Sequence, residues 1–284
     1  MIEMADIHVV RDRGCDTAGI PFVLVHGVGS DHSVWDGVTT VLGRTRDIVR
    51  YDLRGHGESV KSPRPYTLDG FAADHLQVLD RCEVDQCHLV GFSLGGLIAQ
   101  RVAISRPDRV RTLTLISTVA GRTTQERMAV ESRAARLRDG GAAGHVATAV
   151  DRWFTEDFAR LNPQVVEERR QRSLRNEPDC YAAAYEVLAS TDLADELGGL
   201  TRPTLVITGE RDTGSTPRMA RLMAERIPHA RAVILPRLKH SLLLEAPDIV
   251  GREITKFTTQ CTGKENHGQG TIRERSGPAP GSAR

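Results

Sequence analysis

Residues 90–97 read Val-Gly-Phe-Ser-Leu-Gly-Gly-Leu, with one serine, Ser93, set among Gly91, Gly95 and Gly96. The run before it, 86–92 (QCHLVGF), is apolar and β-rich. The run after it, 95–105 (GGLIAQRVAIS), has helical periodicity and stops before Arg106-Pro107. A strand that turns directly into a helix crowds the backbone on either side of the turn. Gly91 and Gly95 remove the Cβ atoms that would clash there, and Gly96 lets the helix lie close to an adjoining strand. The G-x-S-x-G spacing in a strand–turn–helix setting presents the hydroxyl at the top of a sheet, which makes Ser93 a candidate nucleophile.

A serine hydroxyl is a weak nucleophile at neutral pH and needs a base, which in turn needs an orienting acid. Further strand-like runs lie at 22–25 (FVLV), 46–53 (RDIVRYDL), 110–117 (VRTLTLIS), 203–209 (PTLVITG) and 231–236 (RAVILP). Short runs rich in Val, Ile, Leu and Thr suit strands buried on both faces of a parallel sheet. Helical patterns alternate with them at 67–82, 217–227 (opened by Thr216-Pro217) and 247–259. The alternation predicts an α/β fold with a doubly wound sheet and right-handed crossovers.

The strand at 203–209 runs into Glu210-Arg211-Asp212, and the strand at 231–236 leads to Arg237-Leu238-Lys239-His240. Ser93, Asp212 and His240 therefore follow the order nucleophile, acid, base, each just past a strand. Glu210 is the rival acid. The segment Ile116-Ser117-Thr118-Val119, the other place for an acid, has none. Acyl chemistry also needs donors for the developing oxyanion. The backbone N–H of Leu94 is one candidate. The other is that of Val28, in the loop His26-Gly27-Val28-Gly29-Ser30, where His26 is expected to serve loop geometry.

Residues 121–190 break the rhythm. They contain no buried-strand run and read as amphipathic helices at 123–138, 142–154, 163–174 and 178–190. Ligands of open α/β sheets bind at the carboxyl ends of the strands, so a helical insertion there is expected to cap the site. The expected organisation is a core of residues 1–120 and 191–261, a helical cap of 121–190 and a disordered tail, 262–284, rich in Gly, Pro and Ser. The cap segment has 11 arginines, 11 acids and no lysine. Arg133 and Arg136 are candidate carboxylate anchors, because guanidinium forks match carboxylates; the competing reading is salt-bridged helix faces. Trp153 is a candidate pocket wall or a core residue beneath the cap.

The 284-residue chain has a formal net charge of +1, which gives no reason to expect a nucleic-acid or membrane partner. No stretch reaches the roughly 20 apolar residues of a membrane span, and the first residues do not read as a secretory signal. Five widely spaced cysteines argue against a disulfide framework and for a cytoplasmic setting. Cys82, Cys87 and His88 lack a ligand-spaced partner pair, so no metal site is expected. Gly27-x-Gly29 is too short for a dinucleotide fingerprint, and no cofactor is expected.

Taken together, several motifs resemble the α/β-hydrolase family: His26-Gly27-Val28-Gly29, Asp52-Leu53-Arg54-Gly55-His56-Gly57-Glu58-Ser59, Gly91-Phe92-Ser93-Leu94-Gly95-Gly96, Gly209-Glu210-Arg211-Asp212 and His240-x4-Glu245-Ala246-Pro247. The resemblance implies a mostly parallel sheet of about eight strands with a helical cap, and a short antiparallel strand near the start. Within the family the chain looks most like the 3-oxoadipate enol-lactonases, lactone hydrolases of aromatic catabolism. Pro65-Tyr66-Thr67, Arg152-Trp153-Phe154-Thr155 and Cys180-Tyr181-Ala182-Ala183 carry that likeness. It implies hydrolysis of a small lactone or ester, with a carboxylate-bearing substrate in view. Relatives with the same triad cleave carbon–carbon bonds or amides. The carbon–carbon group has an aromatic residue soon after the histidine, where this chain has Leu242-Leu243-Leu244. A ligand receptor built on the fold is the third reading.

Overall fold

The computed structural model describes residues 6–263 apart from 17–18, 44 and 63–64. Its strands are β1 (Val9–Asp12), β2 (Phe22–Val25), β3 (Ile48–Tyr51), β4 (Cys87–Phe92), β5 (Val110–Ile116), β6 (Thr204–Gly209) and β7 (Ala230–Leu235). They form one sheet in the order β1-β3-β2-β4-β5-β6-β7. β1 pairs antiparallel with β3, and every other pairing is parallel. The sheet has seven strands among the described residues, where about eight were expected. The chain ahead of β2 supplies only the four-residue β1 as an antiparallel edge.

Burial explains the strands. Every residue of β2, β3, β4 and β6 is buried, and their side chains alternate between two apolar layers. Val23, Val25, Leu89 and Leu113 face one layer; Phe22, Leu24, Val90 and Ile207 face the other. Helices α2 (Leu68–Arg81), α3 (Leu94–Ser105) and α8 (Pro217–Arg226) contribute to the first layer; α1 (Asp36–Leu42) and α10 (Pro247–Gly263) cover the second. Thr67 caps α2 by accepting from Gly70 N–H at 3.0 Å, and Thr216 caps α8 ahead of Pro217. These are the start signals legible in the sequence.

Four helices lie between β5 and β6: α4 (Thr124–Trp153), α5 (Glu156–Leu161), α6 (Pro163–Leu174) and α7 (Pro178–Ser190). Gly141, at φ 73°, breaks α4 into two helices, which is why its pattern reads as separate runs. A short four-residue helix, α9 (Leu242–Glu245), follows His240. Helix α10 runs to Gly263, so it continues through the first two residues of the expected tail; the rest of that tail lies outside the described residues. None of the five cysteines is in a disulfide. Among the described residues, no helix is long and apolar enough to cross a membrane.

From β2 the chain steps outward to β3 on one side, and from β4 it winds to β5, β6 and β7 on the other. The strand order reverses between β2 and β4, and ligands of such sheets bind in the crevice at the carboxyl ends there. The Gly27 loop leaves β2 and Ser93 leaves β4 at that point. A Cβ placed on Gly27 would lie 2.9 Å from Ser93 Cβ, so the two loops touch.

Candidate active site

Ser93 sits on the sharp turn expected from its glycines, at φ 54° and ψ −114°. This is a left-handed conformation that a residue with a Cβ adopts only under constraint. The constraint is hydrogen-bonded: Ser93 N–H donates to Ile116 O at 2.9 Å, and Ser93 O accepts from Gly96 N–H at 2.9 Å and Thr118 Oγ1 at 2.8 Å. A Cβ on Gly91 would overlap the Gly95 carbonyl, and one on Gly95 would overlap the Val25 carbonyl of β2. The turn therefore needs glycine at both positions.

His240 and Asp212 meet from the ends of β7 and β6. His240 Nδ1 lies 2.7 Å from Asp212 Oδ2, while Asp212 Oδ1 accepts from the N–H groups of Gly214 and Ser215, each at 2.9 Å. Both carboxylate oxygens are thus engaged, and the buried acid holds one orientation. Since a carboxylate only accepts, the Nδ1 proton belongs to His240 and its Nε2 is left as the basic nitrogen. The His240 ring packs against Phe92, the residue before Ser93, at 5.2 Å between centroids. Glu210, the rival acid, is exposed and accepts from Arg237 N–H at 2.8 Å. It serves the loop, not the site.

The loop carrying Val28 is pinned from both sides. His26 and His56 are fully buried. His26 Nδ1–H donates to Gly27 O at 2.8 Å and Nε2 accepts from Leu53 N–H at 2.9 Å. His56 Nε2 accepts from Gly29 N–H at 3.0 Å and Nδ1–H donates to Arg54 O at 3.1 Å. Burial lowers the pKa of both, that of His56 to about 3, so both rings are neutral at pH 7. From the helices, Arg169 and Ser173 of α6 donate to Gly29 O at 2.8 and 3.0 Å. The His26 expectation of loop geometry matches this arrangement. The equivalent role of His56 was not read from the sequence, where Arg54-Gly55-His56-Gly57 shows only as a turn.

Ser93, Asp212 and His240 line one cavity of about 270 Å³, together with Val28, Trp153 and Arg133. Leu94 is fully buried at the first position of α3, next to Ser93, and its side chain does not line the cavity. Arg136 is a correction: it is exposed, lies outside the cavity wall and donates to Ser132 Oγ at 2.8 Å. Three other arginines missed in the sequence do line the cavity: Arg122, Arg152 and Arg169. Trp153 is both wall and core, since it is buried and its ring carries the Arg169 guanidinium at 4.2 Å. Cys87 and His88, weighed above as metal ligands, are engaged by neighbouring side chains and carbonyls. His88 Nδ1 pairs with Thr112 Oγ1 at 2.8 Å and Nε2 faces Arg46 at 2.7 Å, while Cys87 Sγ points to Arg109 O.

The segment that carries His240 is bonded to the helices above it. Lys239 Nζ donates to Asp151 O at 2.7 Å, and Ser241 N–H donates to Trp153 O at 2.9 Å. Thr155 gives Glu245 its N–H at 3.0 Å and its hydroxyl at 2.7 Å.

The strand-end serine, the acid and histidine on the following strands, and the sheet that positions them are features of an α/β hydrolase. The family model for the alpha/beta hydrolase fold matches residues 20–247, and the chain belongs to that family. It is 30% identical over 213 residues to 3-oxoadipate enol-lactonase 2 of Acinetobacter baylyi, covering 75% of this chain and 79% of that one. It is also 30% identical over 237 residues to an (E)-2-((N-methylformamido)methylene)succinate hydrolase of the same organism, covering 82% and 88%. The enol-lactonase from Burkholderia xenovorans LB400 superposes with a TM-score of 0.83 at 29% identity, covering 89% of this chain and 96% of that chain.

Proposed function

We propose that this protein hydrolyses a small lactone or carboxylic ester through an acyl-enzyme on Ser93. The observation that carries the reading is the 2.7 Å Asp212–His240 pair facing the same cavity as Ser93. His240 Nε2 takes the Ser93 proton as the hydroxyl attacks the acyl carbon. The N–H groups of Val28 and Leu94 receive the oxyanion. His240 then gives its proton to the leaving oxygen and activates a water that releases the acid, while Asp212 holds the imidazole tautomer and steadies the imidazolium.

Residues 121–190 act as a cap over a core formed by 1–120 and 191–261, closing the cavity and supplying Arg133 and Trp153 to the substrate. A substrate carboxylate is expected to face the arginines. Five cysteines with no disulfide among them support a reducing, cytoplasmic setting. Similarity to the enol-lactonases supports a lactone. Similarity to the (E)-2-((N-methylformamido)methylene)succinate hydrolase supports a second reading, amide hydrolysis by the same residues. Carbon–carbon cleavage is disfavoured, because apolar Leu243 and Leu244 line the cavity beside His240 where that group carries an aromatic residue.

Product analysis on a panel of small lactones, esters, amides and dienoic ring-fission acids tests the assignment. Multiple turnovers on lactones or esters are expected. Turnover confined to amides or ring-fission acids would replace the bond assignment, and stoichiometric binding without turnover would favour a receptor.

A further inference from the structure

The cavity wall carries six charged side chains besides the histidines: Arg122, Arg133, Arg152 and Arg169 against Glu126 and Asp212. The wall thus has a surplus of two positive charges. The two acids are already engaged: Asp212 holds His240, and Glu126 accepts from Arg218 at 2.5 Å and from Thr123 N–H at 2.7 Å. Among the described residues, none of the four arginines has an ion-pair partner. Buried charge without a partner is costly, and four guanidinium groups converging on one cavity need a reason.

The four fall into two kinds. Arg122 gives both terminal nitrogens to carbonyls, Thr191 O at 2.7 Å and Leu188 O at 2.8 Å. Arg169 gives NH1 to Gly29 O and to Ser173 Oγ, and its guanidinium lies over the face of Trp153. These two are buried, fixed charges that build the scaffold. Arg133 and Arg152 are only part-buried and lightly used. Arg133 donates Nε alone, to Tyr185 Oη at 3.2 Å, and Arg152 donates NH1 alone, to Thr148 O at 2.7 Å. They sit on the two halves of α4, on either side of the break at Gly141. His145, buried between Tyr181 and Tyr185, adds no charge, because burial holds its pKa down at about 4.

We propose that the substrate is the ester or lactone of a polycarboxylic acid that keeps two free carboxylates, one forked by Arg133 and the other by Arg152. The inference rests on the Ser93 reading above and narrows it from a small ester to a dianion. Two separate open forks fit two carboxylates better than one compact phosphate, since each planar guanidinium matches one carboxylate edge. Hydrolysis breaks the acyl C–O bond: water supplies hydroxyl to the acyl carbon and a proton to the leaving oxygen. The product acid then carries a third carboxylate.

The test is a matched ester series with none, one or two free carboxylates: ethyl butyrate, monoethyl succinate and monoethyl tricarballylate. Wild type is expected to gain about tenfold in kcat/KM with each carboxylate. Arg133→Gln and Arg152→Gln should each remove about one of those tenfold steps, read as the ratio of tricarballylate to butyrate ester. Arg→Lys at either position should restore only part of it. A binding arm needs no turnover and no variant. Tricarballylate should raise the melting temperature of wild type more than succinate, butyrate or inorganic phosphate at equal concentration and ionic strength.

Ratios within threefold across the ester series, or equal stabilisation by phosphate or a monocarboxylate, would overturn the proposal. Labelling of Ser93 by a fluorophosphonate separates the failures. A labelled enzyme with no charge preference loses the dianion and keeps the hydrolase reading, whereas an unlabelled enzyme that still prefers tricarballylate loses the Ser93 reading alone.

Discussion

The loops at the strand ends and the helices above them handle polar groups in opposite ways. At the strand ends, the charged and imidazole groups that shape the site are answered from within the protein. Asp212 has both oxygens engaged, His26 and His56 use both ring nitrogens, and Asp52 accepts from His32 N–H at 2.7 Å and Glu58 N–H at 2.9 Å. In the helices, Arg133 and Arg152 line the cavity with one hydrogen bond each and no ion pair among the described residues. Groups closed on one another fix geometry, whereas groups left open are addressed to something the protein does not itself contain. On the proposed function, bond breaking belongs to the strand ends and substrate choice to the helices.

The sharpest way to break that division is Ser93→Ala. It should cost about 10⁶ in kcat on any ester while leaving tricarballylate stabilisation intact, since no open arginine is altered. Loss of both together in a folded variant would mean that the two regions are not separable. Asp212→Asn should cost about 10⁴ in kcat with little change in melting temperature. The amide oxygen can still accept from Gly214 and Ser215, but it no longer selects the His240 tautomer. Steady-state kinetics beside a melting curve checks both halves.

Acid should act on the buried histidines. Burial lowers the pKa of His56, His75 and His88 to about 3 and that of His145 to about 4. The unfolded chain takes up these protons near pH 6.5 and the native state does not. Their contribution is therefore complete above that pH and is lost as the pH falls from about 6.5 toward 3. Each histidine adds about 1.4 kcal/mol per pH unit in that window. Denaturant midpoints at pH 7 and pH 5 should show the loss. His145→Phe should reduce the slope by about one proton, leaving His56, His75 and His88 to supply the rest. The smallest effect should come from Thr155→Val, which removes the hydroxyl bond to Glu245 and the cap on Phe158 N–H and costs about 1 kcal/mol, seen as a drop of a few degrees in melting temperature.

What could be read from the sequence follows the same division. The strands are legible because β2, β3, β4 and β6 are buried on both faces and so read as unbroken apolar runs. Ser93, Asp212 and His240 are legible because each lies just past such a run. The cavity arginines are not. Arg133 and Arg136 are one turn apart on α4, yet one lines the cavity and the other is exposed. Arg122 and Arg169 are buried only because carbonyls distant in sequence, Leu188, Thr191 and Gly29, come to meet them. Helix α5 escaped notice because its six residues bury no side chain and carry no apolar stripe. The absence of lysine among the 11 arginines of 121–190 was the one available hint that guanidinium forks matter there.

The central claim, that Ser93 is a nucleophile prepared by the Asp212–His240 pair, is tested most directly by intact-mass spectrometry after incubation with a serine-directed fluorophosphonate. Wild type should take up a single adduct, mapped to the peptide containing Ser93, and Ser93→Ala none. Equal labelling of the two proteins, or an adduct mapped to another serine, would contradict it.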